Sequence, residues 1–148
     1  MSFPRRAGAI VVSVGAVVTL IGTFLTWVRS GATGRSSYEL FELVDRLGFS
    51  PDGLVGRALR VWPLVPMLLV LAVVGAWWHP SRPLWAPGRI ALTALAAVYA
   101  GGTALAVANA PDIALFTVGS GPVVTSIGAG VMIAGLVVEP LMSRLSPA

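Results

Sequence analysis

Ala7–Val28 reads AGAIVVSVGAVVTLIGTFLTWV, an apolar run without a single Asp, Glu, Lys, Arg or His. A helix needs about 20 apolar residues to cross the hydrocarbon of a bilayer, and this run is long enough. Three more runs follow: Val61–Trp78, Ile90–Pro111 and Ile113–Val138 are equally free of charge. The pattern predicts an all-α integral membrane protein. Its four-transmembrane-helix bundle would cover about residues 7–28, 61–78, 90–108 and 121–138.

Composition agrees. Of 148 residues, 56% are hydrophobic and 11% charged, with a mean hydropathy of +0.87. Soluble domains carry about 25% charged residues, so the deficit points to lipid as the solvent. Four spans with short connections leave room for one domain over 1–148. The chain has no cysteine, which excludes disulfides, thiolate metal sites and cysteine nucleophiles. The net charge of +4 comes from ten Arg and no Lys. In a membrane protein this balance serves headgroup contacts and topology, and no basic run with interleaved aromatics suggests nucleic acid. Arg5 and Arg6 before an apolar run resemble a signal peptide. The run exceeds the 7–15 residues (roughly) of a signal h-region and lacks a nearby small-residue cleavage site, so an uncleaved helix is expected.

Tryptophans and prolines mark the boundaries. Trp27 ends the first run, Trp62 opens the second, Trp77 and Trp78 close it, and Trp85 follows in the next turn. This is the placement of an aromatic belt at headgroup level. Pro63 and Pro66 fall in the first turns of the second span, where a missing N–H costs little. His79–Arg89 is proline-rich and reads as a tight hairpin, and Ile113–Val118 as an extended or re-entrant piece set off by Gly119-Ser-Gly-Pro122.

The sizeable polar segment is the loop 29–60, which reads as folded. Ser36 and Glu39 form a capping box, Gly48 supplies a stop, and Leu40, Leu43, Val44 and Leu47 share one face of the helix between. Glu39, Glu42, Asp45 and Arg46 lie opposite, with Glu42 and Arg46 at i,i+4 spacing. Ser50-Pro51-Asp52 looks like a second helix start. Tyr38, Glu39, Phe41, Glu42, Asp45 and Arg46 are the candidate interaction surface.

Arginine counting divides evenly between the two sides. Arg5, Arg6, Arg82, Arg89 and Arg144 face one way, and Arg29, Arg35, Arg46, Arg57 and Arg60 the other. The Arg5-Arg6 pair before the first helix breaks the tie, placing both termini in the cytoplasm and the chain, multi-pass, in the cell membrane.

Small residues recur at helical spacing. Gly8, Gly15 and Gly22 are seven apart; Ala94, Ala97, Gly101, Ala104 and Ala108 mark the third span; Gly121, Thr125, Gly128 and Gly135 mark the fourth. Backbones approach where side chains are small, so spans one, three and four should make the tight core. The Leu- and Val-rich second span should lie outside, facing lipid. An exposed stripe would instead make a homo-oligomer.

Chemistry is sparse. There is no metal-binding H-E-x-x-H, no nucleophile elbow and no phosphate loop, so no catalytic residue, cofactor or metal is expected. His79, the one histidine, stands at a span end. Glu139 ends the fourth run before Pro140, on the same predicted side as Arg82, Arg89 and Arg144. A carboxylate at the membrane edge is usually paired, so these four form a candidate charge pair.

Phe24-Leu-Thr-Trp27, Arg35-Ser-Ser-Tyr-Glu-Leu40, Trp62-Pro63 and Gly119-Ser-Gly-Pro122 with Gly128-Ala-Gly130 and Gly135 carry a resemblance. In these the chain resembles the small four-helix membrane proteins of unknown function common in actinobacteria, which imply no activity. The expected role is a structural or interaction component of an envelope or membrane-protein assembly, among lipids and beside another membrane or envelope protein. The alternative is a small transport or lipid-handling component.

Overall fold

A computed structural model of the protein describes residues 3–46, 60–78, 85–109 and 117–145. Its helices are α1 (Phe3–Phe24), α2 (Ser37–Arg46), α3 (Val65–Trp77), α4 (Trp85–Ala108) and α5 (Gly121–Leu145). A 3₁₀ turn, Trp62–Leu64, leads into α3. Three short strands complete the described fold: β1 (Val28–Ser30), β2 (Thr33–Arg35) and β3 (Thr117–Val118). Three helices are long and apolar enough to cross a membrane, over Arg6–Phe24, Pro87–Ala108 and Gly121–Val138; Trp62–Trp77 is a shorter apolar helix.

α1 and α5 pack antiparallel along their whole length, and glycine is the reason. A Cβ on Gly15 would lie 2.6 Å from the Met132 amide nitrogen and 2.7 Å from the Gly128 carbonyl oxygen. Gly22 meets Thr125, Gly128 meets Thr19, and Gly135 meets Val12 in the same register. Seven-residue spacing on both helices keeps the small side on one seam, so backbones touch. Polar groups in the seam are mostly satisfied locally: Thr19 Oγ1 donates to the Gly15 carbonyl at 2.8 Å. Thr125 Oγ1, buried against Gly22, has no hydrogen-bond partner.

α4 joins this pair through the Ala face: Ala96, Ala97, Ala100 and Ala104 are buried, and a Cβ on Gly101 would sit 2.8 Å from that of Ala129. α3 differs from expectation. It packs against both α1 and α4, burying Val65, Leu69, Ala72 and Ala76, and Ala72 is 0% exposed. Spacing of four, three and four residues puts these on one face, and only the other face, with Met67, Val70, Leu71 and Val74, is open. At its far end Trp77 Nε1 donates to Ser13 Oγ of α1 at 3.0 Å. Directions therefore alternate: α1 and α4 run towards one end of the body, α3 and α5 away from it.

At that end sits a small cap. Gly31 (φ +59°) and Ala32 turn β1 into β2, and the left-handed φ falls where a two-residue hairpin favours glycine. β3 pairs antiparallel with the other edge of β1, Val28 opposite Val118 and Arg29 opposite Thr117, giving the order β2-β1-β3. Gly119 N–H donates to the Trp27 carbonyl and Gly121 N–H to that of Thr26, both at 2.8 Å. Thr117–Val118 is thus extended, and it ties the start of α5 to the end of α1. Two termini differ from the sequence reading. α4 starts at Trp85, with Pro87 in its first turn where no intrahelical N–H bond is lost, and α5 continues past Pro140 to Leu145.

Candidate functional site

The cap is built on an aromatic cluster. Trp27 and Trp62 are 0% exposed and meet edge to face at 5.2 Å between centroids. Phe41 of α2 stands edge-on to both, at 5.9 and 5.1 Å, and Tyr99 of α4 reaches Trp62 at 5.8 Å. Buried indoles need partners, and both find them. Trp27 Nε1 donates to the Gly22 carbonyl at 2.9 Å, and Trp62 Nε1 to Ser37 Oγ at 3.0 Å. These two tryptophans are core residues, unlike Trp77 and Trp78, which are exposed as a membrane belt requires.

α2 starts as its capping box predicts. The Ser36 amide donates to Glu39 Oε2 at 2.7 Å, and the Ser36 hydroxyl meets the same oxygen at 3.1 Å. These bonds, the backbone one foremost, then the hydroxyl and the nearby Arg35, hold the Glu39 carboxyl below its ordinary pKa. Ser37, fully buried, donates to the Thr23 carbonyl at 2.7 Å. Leu47, Gly48 and the second helix start at Ser50-Pro51-Asp52 lie outside the described residues.

The six residues of the candidate surface divide by depth. Tyr38 and Phe41 are half-buried and pack towards the cluster, Tyr38 also facing Phe24 at 5.2 Å. Glu39, Glu42, Asp45 and Arg46 are exposed, and Arg46 bridges Glu42 one turn back. Between α2 and the start of α3 opens a cleft of about 400 Å³, lined by Tyr38, Phe41, Glu42, Val44, Asp45, Arg60, Trp62 and Pro63. Arg60 and Pro63 were not legible as site residues, because nothing in their spacing relates them to α2, fourteen or more residues upstream.

The four residues of the candidate charge pair belong to the other end of the body. Arg89 lies in the second turn of α4, its stem 3.8 Å from where a Gly75 Cβ would be. Glu139 and Arg144 lie in the last turns of α5, and the Gly101–Ala129 contact sets a register that brings Glu139 level with the start of α4. Arg82 lies outside the described residues. Among the described residues, no three of His, Cys, Asp and Glu gather as metal ligands. Comparison with protein-family models, curated proteins and solved structures finds no match to this chain.

Proposed function

We propose that the chain is a four-span protein of the cell membrane whose cap docks another membrane or envelope protein. The observation that carries this reading is the exposed charged face of α2, fixed on a buried aromatic base at one end of an apolar body. A polar face held this firmly presents a constant pattern of charge, whereas the described sides of the body offer mainly apolar groups that do not select a polar partner. Membrane residence is supported by the outer faces of the long helices. Ile10, Val14, Val17 and Ile21 on α1 and Val123, Ile127, Ile133 and Val137 on α5 are exposed, a coverage that water would not tolerate.

Trp62–Trp77 is the fourth span in this reading. At about 1.5 Å per residue it falls short of a mean bilayer, and the bilayer thins to meet it. The transport alternative draws less support, since the cleft opens at the cap and Glu139 shares the opposite end with Arg89.

A photo-crosslinking residue at Glu42 tests the docking reading against the same residue at Gly102, whose surroundings are open. In native membranes the first should join the chain to one defined protein and the second to lipid. Lipid adducts alone at both positions would reject it.

A further inference from the structure

α3 is short, and its neighbours fix where the shortfall falls. The turn Trp62–Leu64 and α3 together supply sixteen residues, about 24 Å of helix. The apolar span of α4, Pro87–Ala108, has 22 residues and covers about 33 Å. Away from the cap the two helices are level, since a Cβ on Gly75 of α3 would lie 3.8 Å from Arg89 Cγ of α4. Trp77, bonded to Ser13, holds the same end of α3 against α1. At the cap end the two part company. Trp62 meets Tyr99, and α4 continues to Ala108, about 13 Å past that level. The outer face of α3 is apolar throughout: Val61, Leu64, Met67, Val70, Leu71 and Val74 are exposed. Exposed Arg60 closes it at the cap end and exposed Trp78 at the other. Both residue types anchor at headgroup level, so they bound the hydrocarbon that this face can cover.

We propose that the outer face of α3 selects phospholipids with short acyl chains, while α4 takes lipids of ordinary length. This deepens the membrane reading and rests on α3 being the fourth span. A mean bilayer has about 30 Å of hydrocarbon, several ångströms more than α3 covers. Ordinary chains against this face must compress or lie against polar groups, and a shorter chain does neither. Tilting relieves a helix that is too long, but it shortens still further the thickness that a short helix spans. Sliding is also closed to α3. Gly75 and Trp77 hold one end, and Trp62, packed on Trp27, Phe41 and Tyr99, holds the other. Selection is therefore by chain length, and the headgroup plays no part in it.

A photo-crosslinking residue replaces Val70 on the outer face of α3, or Val98 on that of α4, both exposed. The full chain enters vesicles of equal parts phosphatidylcholine with fourteen-carbon and with eighteen-carbon monounsaturated chains. Lipid adducts are then weighed by mass spectrometry. At Val70 the shorter lipid should exceed its bulk share about fivefold, a preference that a few ångströms of mismatch supports. At Val98 the adducts should follow the bulk ratio. Arg60→Leu lengthens the charge-free run by three residues, back to Arg57, and should return the Val70 adducts to bulk. Arg60→Gln removes the charge but keeps a polar end, and should leave the preference intact. Arg60 is exposed, so unchanged melting temperatures certify that both variants are folded. Bulk ratios at both positions, equal enrichment at both, survival of the preference in Arg60→Leu or its loss in Arg60→Gln overturns the proposal. Arg60→Cys and Trp78→Cys, each the chain's one thiol, test the premise with an impermeant maleimide on intact and lysed cells. They should label from opposite faces of the membrane. Labelling from one face would reject the span and the lipid selection together, whereas opposite faces with bulk adduct ratios would reject the selection alone.

Discussion

Trp62 Nε1 donates to Ser37 Oγ at 3.0 Å, and the same hydroxyl donates to the Thr23 carbonyl at 2.7 Å. One small side chain thereby links the start of the second apolar helix, the amphipathic α2 and the end of α1. Thr23 is in the last turn of α1, where carbonyls have no intrahelical donor. The link therefore satisfies a helix end and an indole at once, in a place closed to water. It explains why α2 is part of the body and not a tethered loop.

Ser37→Ala should destabilise the protein by about 1–3 kcal/mol, since it orphans a buried donor and a buried acceptor together. The melting temperature in detergent measures this, with Ser126→Ala as the comparison. Ser126 bonds the Pro122 carbonyl of its own helix and ties nothing else, so its loss should be nearly silent. Equal effects at both positions would mean that the three-way link carries no special weight.

The capping box makes the cap sensitive to acid. The Glu39 pKa is lower in the folded protein than in the unfolded chain, so its contribution is complete above the ordinary carboxylate pKa. It is lost as pH falls through the lowered folded value. Proteolysis of the cap should accelerate over that window in the wild type. Glu39→Gln keeps an acceptor that does not titrate, and its profile should be flatter there. Superimposable profiles would show that Glu39 is not the titrating support.

The glycine seam gives a graded prediction. Gly15→Ala drives a methyl into the Met132 and Gly128 backbones and should cost about 1–3 kcal/mol. Gly102→Ala, with open space at the new methyl, should be neutral or stabilising by about 0.5–1 kcal/mol from helix propensity. Ala72→Leu joins the costly group, because Ala72 faces the interior. Melting temperatures of the three variants rank them directly. An Ala72→Leu protein as stable as wild type would place α3 at the periphery after all.

The parts of this fold that lipid and glycine dictate were legible in the sequence. Charge-free runs announce the long helices, the heptad glycines announce the α1–α5 seam, and Ser36 with Glu39 announces α2. The cap was harder. β3 is two residues long and shows no alternation, so its pairing with β1 leaves no periodic trace. Trp27 and Trp62 stand at run ends, where a belt tryptophan and a core tryptophan look alike in sequence. Ala72 and Ala76 sit among larger aliphatics, which hides the buried face of α3. The cleft joins α2 to residues 60–63, and no spacing rule connects segments this far apart in the chain.

The chain has no cysteine, so one introduced thiol can report its own side of the membrane. Ala32→Cys lies in the exposed hairpin turn of the cap, and Ala148→Cys at the C-terminus. In the proposed orientation the Arg5-Arg6 pair would keep the N-terminus inside, and α1 would carry the cap to the outer face. Four crossings would return the chain to the cytoplasm. A membrane-impermeant maleimide should therefore label Ala32→Cys in intact cells and Ala148→Cys only after lysis. Labelling with the opposite sidedness would invert the orientation while keeping four spans. Labelling of both positions from the same side would require an even number of crossings between the cap and the C-terminus. Trp62–Trp77, the shortest of the apolar helices, would need to lie at the surface in that case.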